Sequence, residues 1–124
     1  MLGNEGQAAS VVQVLNAFSA ANTAAATSGW IDIRQYEGDL VILINPGAIT
    51  GSITPSIEDA SDSGGTGAAA ISANEGAYTA LVTNTARKYT IPAGAPRGWI
   101  RFVGTVVTGP ALIGVQLISR PKYT

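Results

Sequence analysis

Hydrophobic and polar residues alternate along much of this chain, in short runs separated by glycine, proline and other turn residues. In the clearest run, Ile100, Phe102 and Val106 share one face of a strand and Arg101 lies on the other, because successive side chains of a strand point to opposite faces. The pattern is repeated by Ile113, Val115 and Leu117. The runs with strand character are residues 30–36, 39–45, 51–59, 77–84, 88–92, 98–107 and 111–120. Short strands at this spacing predict an all-β fold, an antiparallel β-sandwich of jelly-roll type.

The segments between the strands predict how neighbouring strands pair. "TGP" at 108–110 has turn chemistry, so residues 98–120 are expected to form an antiparallel hairpin. "NPGAITGS" at 45–52 is expected to act similarly after the strand "LVILI" at 40–44. That strand is apolar throughout, which predicts burial on both faces and a central place in a sheet. A short echo between "AITGSITPSI" and "VVTGPALIGV" is interpreted as two hairpins of similar geometry, not as a repeat.

The N-terminal part of the chain supports two interpretations. Ser10 and Gln13 fit a capping box before a short helix, whereas residues 11–18 begin with the β-rich segment "VVQVL". A strand over 11–18 is the favoured prediction. Residues 1–9 have no apolar period and are expected to be a flexible arm before a single domain over 10–124. The arm is expected to contribute to attachment and to be dispensable for folding.

Composition excludes several classes of function. The chain of 124 residues is long enough for one core, and its seven basic and eight acidic residues give no charge excess that would attract nucleic acid or a membrane surface. Cysteine and histidine are both absent, which excludes thiolate and Ser-His catalysis. The N-terminus does not resemble a signal peptide, and no apolar run approaches the ~20 residues that span a bilayer. Synthesis in a cytoplasm is therefore expected.

The acidic stretch "SIEDASDSGG" at 56–65 is the main candidate for a metal or catalytic site. Its carboxylates are those of Glu58, Asp59 and Asp62, and their spacing does not match a calcium-binding loop. Acids on an exposed turn are also poor candidates for paired carboxylate catalysis. The favoured interpretation is a strand that ends at Ile57 or Glu58, followed by a polar turn, with no metal, cofactor or catalytic residue.

Charged and aromatic residues suggest a protein contact instead. Every acidic residue lies at or before Glu75 and most basic residues follow it, which indicates either a complementary surface or ordinary strand faces interleaved by the fold. Trp30 and Trp99 each begin a predicted strand. By alternation, Trp30 shares a strand face with Asp32 and Arg34, and Trp99 shares one with Arg101. Tryptophan and arginine are typical of interface hot spots. Trp99 with Arg101 is therefore the leading contact candidate, and Trp30 with Arg34 is the second.

Three segments together resemble small virion proteins encoded in head-gene regions of tailed bacteriophages and prophages. They are "GWIDIRQYEGDLVILINPGAITG", "ITPSIEDASDSGG" and "GWIRFVGTVVTGPALIGVQLISRPKY", and the resemblance covers roughly residues 28–122. The turn after Asp62 departs from the pattern of these proteins, because it has Ser-Gly-Gly instead of Asp-Gly. A different loop after this turn is therefore expected.

The resemblance implies a β-sandwich capsid decoration (cement) protein that binds the outside of the major capsid protein shell. Such a protein would be a homo-oligomer on the outer surface of the virion, without enzymatic activity, cofactor, nucleic acid or membrane. Two alternatives stay open. One is another virion component, such as a tail or head-tail joining protein, although the chain has no heptad repeat. The other is a carbohydrate-binding jelly-roll module, for which the few scattered aromatic residues give little support.

Overall fold

The described part of the chain forms nine strands and no helix. The computed structural model describes residues 10–20 and 26–121, so the predicted arm over residues 1–9 lies outside the described residues. The strands are β1 Ser10–Ala20, β2 Ala26–Thr27, β3 Ile31–Asp32, β4 Tyr36–Ile49, β5 Ser52–Ala60, β6 Ala69–Ala70, β7 Arg87–Ile91, β8 Trp99–Thr108 and β9 Ala111–Pro121. Over these residues no helix could cross a membrane. The strand prediction for 11–18 is confirmed by β1.

The strands form two antiparallel sheets. One sheet has the order β1-β9-β4-β7, and the other has the order β2-β8-β5-β6, with β3 also paired to β8. This is the strand order of a jelly roll, in which two Greek keys place sequence-distant strands side by side. The predicted fold class, an antiparallel β-sandwich of jelly-roll type, is therefore confirmed.

The core consists of the side chains that point inward from both sheets. Ile42 and Ile44 of β4 face Ile53 and Ile57 of β5, and all four are almost fully buried. The faces predicted from alternation in β8 and β9 are confirmed, since Ile100, Phe102, Val106, Ile113, Val115 and Leu117 are all buried. Burying one such aliphatic or aromatic side chain contributes roughly 1.5–3 kcal/mol, so this interior is the main source of stability.

The two predicted hairpins are wrong. β8 and β9 are consecutive in sequence but lie in different sheets, and the same is true of β4 and β5. Both short connections therefore cross from one sheet to the other, and they lie side by side, with the Thr50 amide donating to the Pro110 carbonyl at 3.0 Å. The residues that favour a turn are the same in a hairpin and in a connection that crosses from one sheet to the other. The echo between the two segments reflects two adjacent crossings.

Two other strand predictions need correction. Residues 77–84 do not form a strand, and the predicted strand over 30–36 shrinks to β3 before a turn. Strand β4 is central, between β9 and β7, but it is not buried on both faces, because Val41 and Leu43 are only half-buried on its outer face. Hydrophobicity alone does not distinguish a strand covered on both faces from one whose outer face is partly exposed.

A long excursion over residues 61–86 closes one side of the sandwich. Its backbone amides at Ile71 and Leu81 donate to carbonyls of β5 at 2.9 Å, and its Asn74 amide donates to the Thr90 carbonyl of β7 at 2.8 Å. The excursion thereby covers the backbone groups of the β5 edge and joins the two sheets. Tyr78 and Leu81 turn their side chains towards the core. This anchoring explains why an apolar segment that predicts a strand forms an ordered loop.

Candidate protein-contact site

The outer face of the five-stranded sheet brings together the four residues predicted to make a protein contact. In the pairing register, Asp32 of β3 lies beside Trp99 of β8, and Glu58 of β5 lies beside Arg101. Because inward and outward positions alternate, Trp30 comes to lie next to Arg101. The tryptophan–arginine cluster, as we call this group, consists of Trp30, Asp32, Arg34, Glu58, Trp99 and Arg101.

Arg101 occupies the centre of the cluster. Its guanidinium carbon lies 4.6 Å from the centroid of the Trp30 ring, which is a cation–π distance. Its Nη2 and Nε atoms donate to Glu58 Oε1 at 2.8 and 2.9 Å. The side chains of Arg101 and Glu58 are only 29% and 24% exposed, so the ion pair is partly shielded from water. Arg101 is thus held in one orientation between Glu58 of β5 and Trp30, which precedes β3.

A second cation–π pair involves Trp99 and Arg34. The Arg34 guanidinium carbon lies 5.4 Å from the Trp99 ring centroid. Arg34 Nε and Nη2 donate to the two carboxylate oxygens of Asp32 at 2.9 and 2.8 Å, and its backbone amide donates to Oδ1 at 3.0 Å. These hydrogen bonds from Arg34 hold the pKa of Asp32 at about 2. The Arg34 side chain is 66% exposed, so it is the most accessible cation of the cluster.

The turn that follows β5 packs against the cluster. Asp62 Oδ1 accepts from the Gly64 amide at 2.9 Å and from the Thr66 amide at 3.2 Å, which shapes the turn. Gly65 has a φ of +83° and lies against the Trp30 indole, where an added Cβ would be 2.9 Å from Nε1. Glycine is therefore required at this position both by the backbone conformation and by the contact with Trp30.

The three acids of the stretch 56–65 have three different roles. Asp59 is buried and bound to Arg97, whose Nε donates to Oδ2 at 3.1 Å, whereas Glu58 faces outward to Arg101 and Asp62 lies in the turn. Strand β5 continues to Ala60, beyond the predicted end at Ile57 or Glu58. Within the part of the chain that the structure describes, no group of three metal-ligating side chains is present.

These ion pairs also decide between the two interpretations of the charge distribution. Glu58–Arg101 and Asp59–Arg97 each join the acidic part of the sequence to the basic part. The fold thus interleaves the two parts in the five-stranded sheet, as the second interpretation expects.

A cleft opens beside the cluster. It has a volume of about 400 Å³ and lies between residues 33–38 and residues 93–98, with Arg34 and Arg97 on its wall. Gly38, Gly94 and Gly98, which have positive φ angles, form part of its lining. The cluster therefore borders a concave surface that a side chain of a partner protein can enter.

Sequence reasoning found the tryptophans and arginines of the cluster together with Asp32, but not the contacts of Glu58 and Gly65. The parity of Trp30 and Asp32 with Arg34 placed these residues on one predicted face. The contacts of Glu58 and Gly65 depend on which strands are neighbours, and that order follows from the jelly-roll topology. The residue pattern within one strand does not indicate which strands lie next to it.

The fold, but not a family, is found among known proteins. No protein-family model matches the chain, and no curated protein matches its sequence. A protein of Bacillus endospore appendages, described as disulfide-linked pili, matches 91% of this chain and 88% of its own, with a TM-score of 0.56 and 15% identity. The SPBc2 prophage-derived protein YomS matches 90% of this chain and 93% of its own, with a TM-score of 0.55 and 14% identity.

A third solved structure, that of PirA, covers 97% of this chain and 99% of its own, with a TM-score of 0.53 and 10% identity. At these identities the three likenesses establish a shared all-β architecture over nearly the whole chain. The resemblance to phage virion proteins stays a prediction.

Proposed function

We propose that this chain is a capsid decoration protein of a tailed bacteriophage or prophage. It binds the outside of the shell formed by the major capsid protein and stabilises that shell without enzymatic activity or a cofactor. In this role it is located on the outer surface of the virion.

The observation that carries the proposal is the tryptophan–arginine cluster. Tryptophan and arginine dominate the energetic centres of protein interfaces, and here two of each lie on one sheet face. The ion pairs with Asp32 and Glu58 fix the two guanidinium groups before any partner binds. Fixed side chains lose less conformational entropy on association, which favours binding.

The similar solved structures agree with a structural role in an assembly. One comes from a prophage and another from pili that are disulfide-linked. This chain has no cysteine, so it cannot form the covalent links of those pili. Attachment to a preformed repetitive shell suits such a chain better, because many weak contacts on one particle add avidity.

The geometry favours a protein contact over carbohydrate binding. A sugar-binding platform needs an uncovered aromatic face, whereas Trp30 and Trp99 each have an arginine over the ring. Trp30 is also in contact with Gly65. The tryptophans are therefore parts of a polar and aromatic surface that fits another protein.

Binding of the purified chain to particles that lack it tests the proposal. Arg34→Ala and Trp99→Ala are expected to reduce occupancy, with affinity at least about tenfold lower, because removing a hot-spot side chain costs ~1.4 kcal/mol or more. Lys88→Ala is the matched control, since Lys88 is an exposed cation on β7 of the other sheet. Circular dichroism verifies that each variant is folded. Equal occupancy for Arg34→Ala, Trp99→Ala and Lys88→Ala would contradict a role for the cluster.

A further inference from the structure

The two ends of the jelly roll differ in charge. The sequence contains no aspartate, glutamate, lysine or arginine in the runs 6–31, 40–57, 76–86 and 102–119. The crossings from β4 to β5 and from β8 to β9 lie in two of these runs, and they meet at one end of the sandwich. The uncharged end, as we call it, consists of residues 47–52, 82–85 and 107–112.

Exposed hydrophobic side chains concentrate at this end. Among residues 26–120, the large hydrophobic side chains that are exposed are Val82, Val107 and Leu112, at 56%, 64% and 46%. Their segments are joined by hydrogen bonds, because the Asn84 amide donates to the Gly47 carbonyl at 3.0 Å and the Thr50 amide donates to the Pro110 carbonyl. Leu112 also lies against Gly47. The three side chains therefore surround one ordered surface.

We propose that the uncharged end is a self-association surface whose partner is a second copy of this chain. Closed homo-oligomers bring a surface patch against the same patch or against another part of its own chain. A patch with like charges would repel its copy, whereas this end has none to repel. Its valine and leucine side chains lose water on contact, which stabilises the association.

The polar groups at this end are also suited to contact with their own copies. Arginine and lysine only donate hydrogen bonds and ionised carboxylates only accept them, so neither pairs with an identical group. A threonine hydroxyl both donates and accepts. Thr50 and Thr108 are exposed at the uncharged end. Identical hydroxyl groups from two copies can therefore bond to each other.

Self-association at this end leaves the tryptophan–arginine cluster accessible. Trp99 is the first residue of β8 and Val107 is near its last residue. Eight residues of extended strand separate them by roughly 26 Å, at ~3.3 Å per residue. One chain can thus contact its own copies at one end and a different protein at the other. The inference concerns the free chain and does not rest on the proposed capsid function.

Sedimentation velocity of the purified full chain over a range of protein and salt concentrations tests the inference. We expect reversible association that is unchanged or strengthened at high salt, because no ion pair is screened at the contact. Val107→Glu is expected to shift the equilibrium to monomer, since it places like charges in the contact. Ala95→Glu is the control, because Ala95 is exposed in the loop between β7 and β8, away from the uncharged end.

Single cysteines provide the second measurement, since the natural chain has none. Under oxidation, at least one of Val82→Cys, Val107→Cys and Leu112→Cys is expected to give a covalent dimer at concentrations where Ala95→Cys stays monomeric. A chain that is monomeric at every concentration would overturn the inference. So would association that high salt abolishes, or that Arg34→Ala prevents while Val107→Glu does not.

Discussion

At the scale of single residues, Gly65 determines how the turn after β5 meets Trp30. Replacing it with alanine forces both an unfavourable positive φ and a Cβ atom only 2.9 Å from the indole nitrogen. We expect Gly65→Ala to lower the free energy of unfolding by about 1–3 kcal/mol and to shift the indole N–H resonance of Trp30. Gly94→Ala is the matched control, because Gly94 has a φ of +80° and no atom within 4 Å of an added Cβ.

The contact with Trp30 is what distinguishes the two variants. Both introduce backbone strain, but only Gly65→Ala displaces the turn from the ring. Equal changes at the Trp30 indole in both variants would show that Gly65 does not position this side chain.

The pKa of Asp32 monitors the position of Arg34, the cation of the second cation–π pair. Its hydrogen bonds from Arg34 lower its pKa from 3.8 to about 2. A depressed folded pKa stabilises the native state above the unfolded value, so this contribution is complete above about pH 4 and is lost as the pH falls through 2. In Arg34→Ala we expect the pKa of Asp32 to return towards 3.8, as measured by carboxyl carbon NMR. A pKa that stays at about 2 would show that Arg34 is not its cause.

The residues that the sequence located best are those whose role depends on alternation. Trp99 and Arg101 are two apart in one strand, so their shared outer face follows from the strand itself. Asp59 was placed with the polar turn, yet it is buried because Arg97 reaches it from 38 positions away. The ion-pair partner of this buried carboxylate is distant in the sequence, so local sequence does not identify it.

At the scale of elements, the 61–86 excursion is held by a hydrogen bond within itself and by contacts with side chains of β7. Tyr78 donates its hydroxyl hydrogen to the Ile71 carbonyl, and its ring meets Tyr89 edge-on at 4.9 Å between centroids. The Glu75 carboxylate accepts from both the amide and the hydroxyl of Thr90. We therefore expect the excursion to unfold together with the sheets and not before them.

Tyr78→Phe tests the hydrogen bond within the excursion. The variant keeps the ring contact and loses one hydrogen bond, so the free energy of unfolding is expected to fall by about 1 kcal/mol at neutral pH. Burial raises the pKa of Tyr78 to about 12 from 10.0, so its neutral form stabilises the fold below pH 10 and this contribution is lost as the pH rises through 12.

The stabilities of the natural chain and of Tyr78→Phe are compared at alkaline pH. The stability difference between the natural chain and Tyr78→Phe should narrow between pH 10 and pH 12 in urea titrations. A difference that stays constant over this range would contradict a Tyr78 hydroxyl that is buried in the native state.

Element type was largely predictable from the sequence, whereas element pairing was not. The alternation in β8 and β9 predicted both strands and their buried faces, because it follows from a core on one side. The crossing at 108–110 has the same residues as a hairpin turn, and only packing of the second sheet decides that β9 leaves β8. Residues 77–84 show the converse case, where β-rich residues anchor a loop instead of forming a strand.

At the scale of the whole molecule, we assign different contacts to the two ends of one sandwich. The tryptophan–arginine cluster lies where β8 begins, and the uncharged end lies where β8 finishes. We propose that the first binds the shell and the second binds other copies of the chain. Linking bound copies raises their effective concentration on the shell, so the two contacts strengthen each other.

A protein that binds only the assembled shell also stabilises it by mass action. Particles without the chain are therefore expected to release DNA at a lower temperature than particles that carry it. Adding back the purified natural chain should restore the higher temperature, whereas Arg34→Ala should restore it only in part. Identical release temperatures with and without the chain would contradict a stabilising role.

The most direct test of the central claim is the position of this chain in an electron cryo-microscopy reconstruction of the particle that carries it. We predict density for the jelly roll on the outer surface of the shell. Trp99 and Arg34 should face the major capsid protein, and Val107 should face other copies of the chain. Density in the tail, inside the shell, or on the outer surface with the cluster facing solvent would contradict it.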